Sequence, residues 1–106
     1  GVNYISPEVV EEYTKYQYYP RNRRGAGFDK PTTNHKGGPT CSLASASSFG
    51  HSGFTGTLAW SDPEYDMTFV FLSNRVYPDA ENWKIVRMNI RTDIQQVIYE
   101  ALLARN

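Results

Sequence analysis

Apolar side chains recur along this chain in three rhythms, and each rhythm predicts a different element. Over residues 7–17, Val9, Val10, Tyr13 and Tyr16 return at helical spacing behind Ser6, which can cap, Pro7 at the first helical position, and Glu8 in the first turn. Pro20 ends that run. Near the C-terminus Ile90, Ile94, Val97, Ile98, Ala101 and Leu102 recur at spacings of three and four, which predicts an amphipathic helix. Between the helices, residues 48–54 and 57–61 read as strands joined by a tight turn at Thr55-Gly56. Residues 67–73 form an apolar run rich in β-branched and aromatic side chains, the pattern of a strand covered on both faces.

The remaining segments are read from their punctuation. Residues 23–28 are short and glycine-rich, and a strand with close backbone approach fits them better than a helix. Residues 29–47 hold Pro, Thr, Gly, Ser and Asn with scarcely an apolar anchor, so they predict a long loop, either a lid or binding loop or a surface excursion. Asp62, Pro63, Glu64, Tyr65 and Asp66 supply turn chemistry, and residues 74–81 are a connection containing Pro78. Together the elements predict an α+β domain: an antiparallel sheet of three to four strands with an N-terminal and a C-terminal helix packed on it.

Composition narrows what such a domain does. A chain of 106 residues has room for a single domain or a piece of one, and 40% hydrophobic residues with eight tyrosines supply a core. Eleven basic and eleven acidic side chains cancel, which removes the electrostatic footprint of a nucleic-acid binder and argues against an anionic membrane partner. No apolar run reaches the ~20 residues of a membrane span. The lone Cys41 has no partner for an internal disulfide, and Gly1 reads as a remnant of tag removal.

Three constellations have chemical potential. Cys41 with His51 or His35 pairs a thiol with a base but lacks an orienting third group, and a small buried thiol explains Cys41 more simply. The same three residues match no standard zinc spacing, so no metal or other cofactor is expected. Asp62, Glu64 and Asp66, clustered around Pro63, read as turn residues before they read as an acid and base for sugar hydrolysis. The third constellation is His51-Ser52-Gly53-Phe54, in a polar strand of small residues, where glycines mark the close approach of a backbone or ligand.

Four stretches in order give that constellation a context: Arg23 to Asp29, the line Ser48-Phe49-Gly50-His51-Ser52-Gly53, the strand at 67–73 running into Asn74-Arg75-Val76-Tyr77-Pro78, and the closing helix. They resemble the C-terminal part of the serine β-lactamase and penicillin-binding-protein-like family, including its esterase and D-alanyl-D-alanine peptidase relatives. The resemblance implies that His51, Ser52 and Gly53 stand at the family's third motif, Lys-Thr-Gly or His-x-Gly, on a strand at the pocket edge. It implies the backbone N–H of Phe54 as an oxyanion donor, His51 and Ser52 as pocket-lining side chains, and Gly53 and Thr55 as binding positions. Strand alternation puts Phe49, His51 and Gly53 on one face and Gly50 and Ser52 on the other, which ranks His51 and the Phe54 N–H above Ser52.

Two family motifs are missing. No serine has a lysine three residues on, Thr33-Asn34-His35-Lys36 being the nearest approach, and neither Tyr-x-Asn nor Ser-x-Asn occurs. The expectation is therefore a C-terminal portion of a serine hydrolase acting by acyl transfer on an amide, lactam or ester, inactive alone. The alternative is a non-catalytic α/β binding or assembly module derived from that fold. By resemblance the sheet's first strands belong to an N-terminal part of the parent lacking here, which leaves 67–73 as a free edge inviting a homodimer or larger assembly. The resemblance also implies a bacterial periplasm or cell-envelope setting, and relatives fused behind a glycoside hydrolase domain.

Overall fold

The computed structural model describes residues 1–32 and 38–105. Its elements are α1 (Pro7–Thr14), β1 (Phe49–Ser52), β2 (Leu58–Asp62), a 3-10 turn (Pro63–Tyr65), β3 (Met67–Phe71), α2 (Lys84–Arg87) and α3 (Ile90–Ala104). The arrangement is α+β, with the three strands forming an antiparallel meander in the order β1-β2-β3. Among the described residues no helix is long and apolar enough to cross a membrane.

Helix α1 begins as its sequence dictates, with the Ser6 side chain accepting the Val9 N–H at 3.3 Å and Pro7 in the first turn. It stops three residues short of the expected 17, because the returning chain takes its C-terminal carbonyls: the Ala26 N–H donates to Tyr13 O at 2.9 Å, and the Gln17 N–H turns away to Arg24 O at 2.9 Å. A Cβ on Gly25 would stand 3.0 Å from the carbonyl oxygens of Tyr13 and Lys15, so this glycine permits the approach. Residues 23–28 consequently form a loop and not the expected strand. Only Asp29 pairs with the sheet, exchanging backbone hydrogen bonds with Gly50 at 2.8 and 3.1 Å. Buried Asp29 is ion-paired with Arg23 at 3.0 Å and Arg24 at 2.5 Å.

The meander has one closed and one open face. Trp60 lies between Gly50 and Phe69, and Leu58 between Ser52 and Phe71, so the closed face collects Leu58, Trp60, Phe69 and Phe71. A Cβ on Gly50 would collide with the Ala59 carbonyl and with Trp60, which fixes glycine there. On the open face His51 lies beside Ala59, and Ala59 beside Val70, all exposed. This corrects the expectation for residues 67–73: burial alternates, with Phe69 8% exposed but Val70 57% and Leu72 79%, because no described residue covers this part of the second face. Beside Phe49, at one end of that face, α1 contributes Val9, Val10 and Tyr13, and Ile5 just before it joins them, in an apolar groove of ≈ 300 Å³ that leaves every residue of α1 unburied.

Helix α3 forms as predicted, but its inward line differs. Gln95 and Tyr99, one turn apart, are the buried residues, while Ile94, Val97 and Ile98 remain exposed. The reason lies in what α3 packs against. The described part of the expected loop is no surface excursion: Thr40, Cys41, Ala44 and Ser45 are buried, and they present polar backbone. Gln95 Oε1 accepts the Cys41 N–H at 2.8 Å, and Tyr99 packs with Cys41 and Ala44 in a second core cluster, edge-on to Tyr65 at 5.7 Å.

Candidate functional site

The residues nominated from sequence occupy the end of β1 and the turn that follows it. The turn closes through the Gly53 N–H to Thr57 O at 2.8 Å and the Gly56 N–H to Gly53 O at 3.0 Å, with Gly56 at φ +100°. A Cβ on Gly53 would meet the Thr57 hydroxyl, which would have to rotate away. The Phe54 N–H, between these two bonds, has no hydrogen-bond partner among the described residues. That is the condition an oxyanion donor must meet before substrate arrives. Thr55 is exposed, and its carbonyl accepts the Arg75 N–H at 2.9 Å.

His51 projects from the open face, exposed, with its Nδ1 2.6 Å from the Ser52 carbonyl oxygen. No other side chain bonds it among the described residues, so its Nε2 side is available to a ligand. Ser52 is half-buried on the opposite face, where it helps line a cavity of ≈ 80 Å³ with Leu58, Ile85, Asn89 and Arg91. Arg91 donates to Thr57 O at 3.1 Å, and burial followed by the neighbouring Arg75 charge lowers its pKa. The strand thus separates the two side chains: His51 stands on the open face, while Ser52 lines the cavity on the other.

The other constellations are not assembled. Cys41 is packed with Ala44 and Tyr99, and burial pushes its thiol pKa up, which disfavours the nucleophilic thiolate. His35 lies outside the described residues, as do Thr33, Asn34 and Lys36. Among the described residues no group of three His, Cys, Asp or Glu side chains is placed to hold a metal ion.

Asp62 is where sequence reading missed most. It does cap the 3-10 turn, accepting the Glu64 N–H at 3.2 Å, but it is also 1% exposed and is the hub of the closed side. Its carboxylate accepts the Ser45 N–H at 2.9 Å, the Ser45 hydroxyl at 2.5 Å and the Tyr99 hydroxyl at 2.5 Å. Burial, then the Asp62 carboxylate, raises the Tyr99 pKa. Lys30, 2% exposed, donates to Ser48 O at 2.8 Å and lies 4.9 Å from the Tyr16 ring centre. Burial lowers its pKa to about 8, with Asp62 opposing the shift. Nothing in a one-dimensional pattern pairs Asp62 with partners 17 and 37 positions away.

A family profile described as beta-lactamase matches residues 7–89 of the chain. No curated protein and no solved structure is significantly similar to it.

Proposed function

The chain belongs to the beta-lactamase family, and from that premise we propose that it is the C-terminal portion of a serine hydrolase domain acting by acyl transfer on an amide, lactam or ester. In this reading the chain supplies one wall of the active site. The Phe54 N–H stabilises the negative charge that develops on the substrate carbonyl oxygen, and His51 lines the acyl pocket as a polar, substrate-facing group. Gly53 and Thr55 shape the turn beside the substrate. The serine nucleophile and its lysine base come from the part of the parent that precedes this chain. The observation that carries the proposal is the unpaired Phe54 N–H in the turn that follows β1, three residues after exposed His51.

Expression of the full-length parent tests it. His51→Ala should lower the rate of acylation by a reactive ester by roughly ten- to a thousand-fold with the circular dichroism spectrum intact, the scale for one positioned polar group. Ser52→Ala, altering a side chain on the other face, should have the smaller effect. An unchanged rate in folded His51→Ala protein removes His51 from the site. The chain by itself should neither turn over a chromogenic cephalosporin nor form a covalent serine adduct detectable by mass spectrometry.

A second reading rests on the exposed Val70 and Leu72 and the apolar groove beside α1. Those surfaces also suit a non-catalytic assembly module derived from the same fold. Ser-x-x-Lys upstream of His51 in the parent, with measurable acylation, decides for the enzyme.

A further inference from the structure

Arg75 is the only buried arginine among the described residues, and no carboxylate pairs with it there. Its guanidinium carbon lies 3.5 Å from the Trp83 ring centre and 4.5 Å from that of Phe54, two rings that themselves meet edge-on at 6.2 Å. Nη1 donates to Ala80 O at 2.7 Å and to Asn82 O at 3.3 Å, while the backbone N–H holds the Thr55 carbonyl at 2.9 Å. One residue therefore joins three segments: the site turn, the connection after β3, and the residue that opens α2. Nη2 is buried without a partner. A methionine would fill the same slot without that desolvation cost, so packing alone does not account for an arginine here. A lysine would supply the charge but neither the plane that lies against two rings nor the fork of donors.

The turn it grips needs gripping. Residues 53–57 contain two glycines, and the two backbone hydrogen bonds that close the turn, from the Gly53 and Gly56 N–H groups, leave the Phe54 and Thr55 amides at its tip unbonded among the described residues and set between flexible neighbours. Phe54 is 68% exposed, and the described ring and charge contacts of its side chain are those with Trp83 and Arg75. We propose that Arg75 is a positioning residue that, through its stack with Phe54 and Trp83, fixes the orientation of the 53–57 turn and with it the direction of the Phe54 N–H. This rests on the reading of that N–H as an oxyanion donor. Arg75 does not touch substrate; it determines where the donor points, a geometry in which small misplacements are costly.

The test uses this 106-residue chain first, through backbone amide order parameters measured by NMR relaxation. In the unaltered chain the Phe54 and Thr55 amides should be near the rigid value of about 0.85, and in Arg75→Met they should fall below about 0.6 while β2 amides stay unchanged. Trp83→Ala should reproduce the loosening, Trp83→Phe should not, and the Arg75→Met/Trp83→Ala pair should loosen the turn no further than either change alone, because all act through one stack. Order parameters that stay high in Arg75→Met overturn the proposal, and so does loosening spread over the whole sheet. In the full-length parent Arg75→Met should lower kcat by about ten- to a hundred-fold with KM nearly unchanged, and Arg75→Lys should not restore it. An unaltered kcat beside a loosened turn also overturns the positioning role. If the unaltered parent fails to acylate, the hydrolase reading falls, and with it the role in aiming a donor, while the order parameters still decide whether Arg75 holds the turn.

Discussion

The two faces of the three-stranded sheet are made of similar residues and meet opposite fates. One carries Leu58, Trp60 and Phe69 with Asp62 at its end, and all four are buried; the other carries Phe49, His51, Ala59 and Val70, and the last three are exposed. Hydrophobicity does not separate them. What separates them is the availability of partners: the closed face meets the 40–45 segment and α3, which bring the donors that Asp62 needs, whereas nothing among the described residues lies over His51. A buried carboxylate with a full set of donors belongs to the architecture. An exposed imidazole bonded only along its own strand is free to meet a ligand.

The strongest way to break this comparison is to remove one polar group from each face. Asp62→Ala deprives Tyr99 and Ser45 of their acceptor and should cost about 3 kcal/mol or more, as several hydrogen bonds to a charged group are lost at once. His51→Ala should cost no more than about 0.5 kcal/mol. Urea midpoints of the two variants should therefore differ widely, and equal losses would erase the distinction between the faces.

A pH titration sharpens the closed side. Lys30 has its pKa lowered by burial to about 8 from an ordinary 10.5. Between those values the unfolded chain holds a proton that the folded chain has released, so this group makes stability rise with pH through the window; below it the burial penalty is present in full. Lys30→Met should abolish that rise, and the difference between the two proteins should change by up to about 3 kcal/mol across the window. Tyr99 acts with the opposite sign, since its raised pKa keeps the phenol proton in the folded chain and stability declines once the unfolded phenol titrates. Parallel stability curves for the two proteins from neutral pH to 10 would show Lys30 to be solvated.

The smallest effect is expected on the open face. Exposed Val70 and Leu72, and the outer edge of β3, invite a second copy of the chain through a two-fold axis. Sedimentation at micromolar concentration should show a dimer or larger species. Val70→Lys should weaken it by about ten-fold or more while leaving the urea midpoint nearly unchanged. A monomer in the unaltered chain contradicts the prediction.

Element type was legible in the sequence wherever a period was long enough: α1, α3 and all three strands of the meander stand where alternation and helical spacing put them, within a few residues. Lateral partners were not legible. The periodic Ile94, Val97 and Ile98 pointed to the wrong side of α3, because Gln95 and Tyr99 are drawn in by hydrogen-bonding groups of a polar segment that periodicity ignores. The 23–28 segment carried a glycine signal for close approach, and the approach is real, but it is made to the end of α1 and not along a strand. For the site, the separation of His51 from Ser52 followed from alternation alone. Arg75 and Trp83 came from a connection in which no period places a side chain, and four-residue α2 was too short to leave one.

The closed side also sets an order of assembly. Each strand pairing of the meander spans one short turn, whereas the Gln95–Cys41 and Tyr99–Asp62 bonds link positions 54 and 37 apart. Closing a long loop costs entropy before any contact offsets it, so local pairings form early and distant ones late. The meander should be in place at the rate-limiting barrier, with α3 docking afterwards. Stopped-flow measurements on Tyr99→Phe should then find the refolding rate nearly unaltered and the unfolding rate raised, which makes the grip of the last helix the determinant of how long each folded molecule lasts.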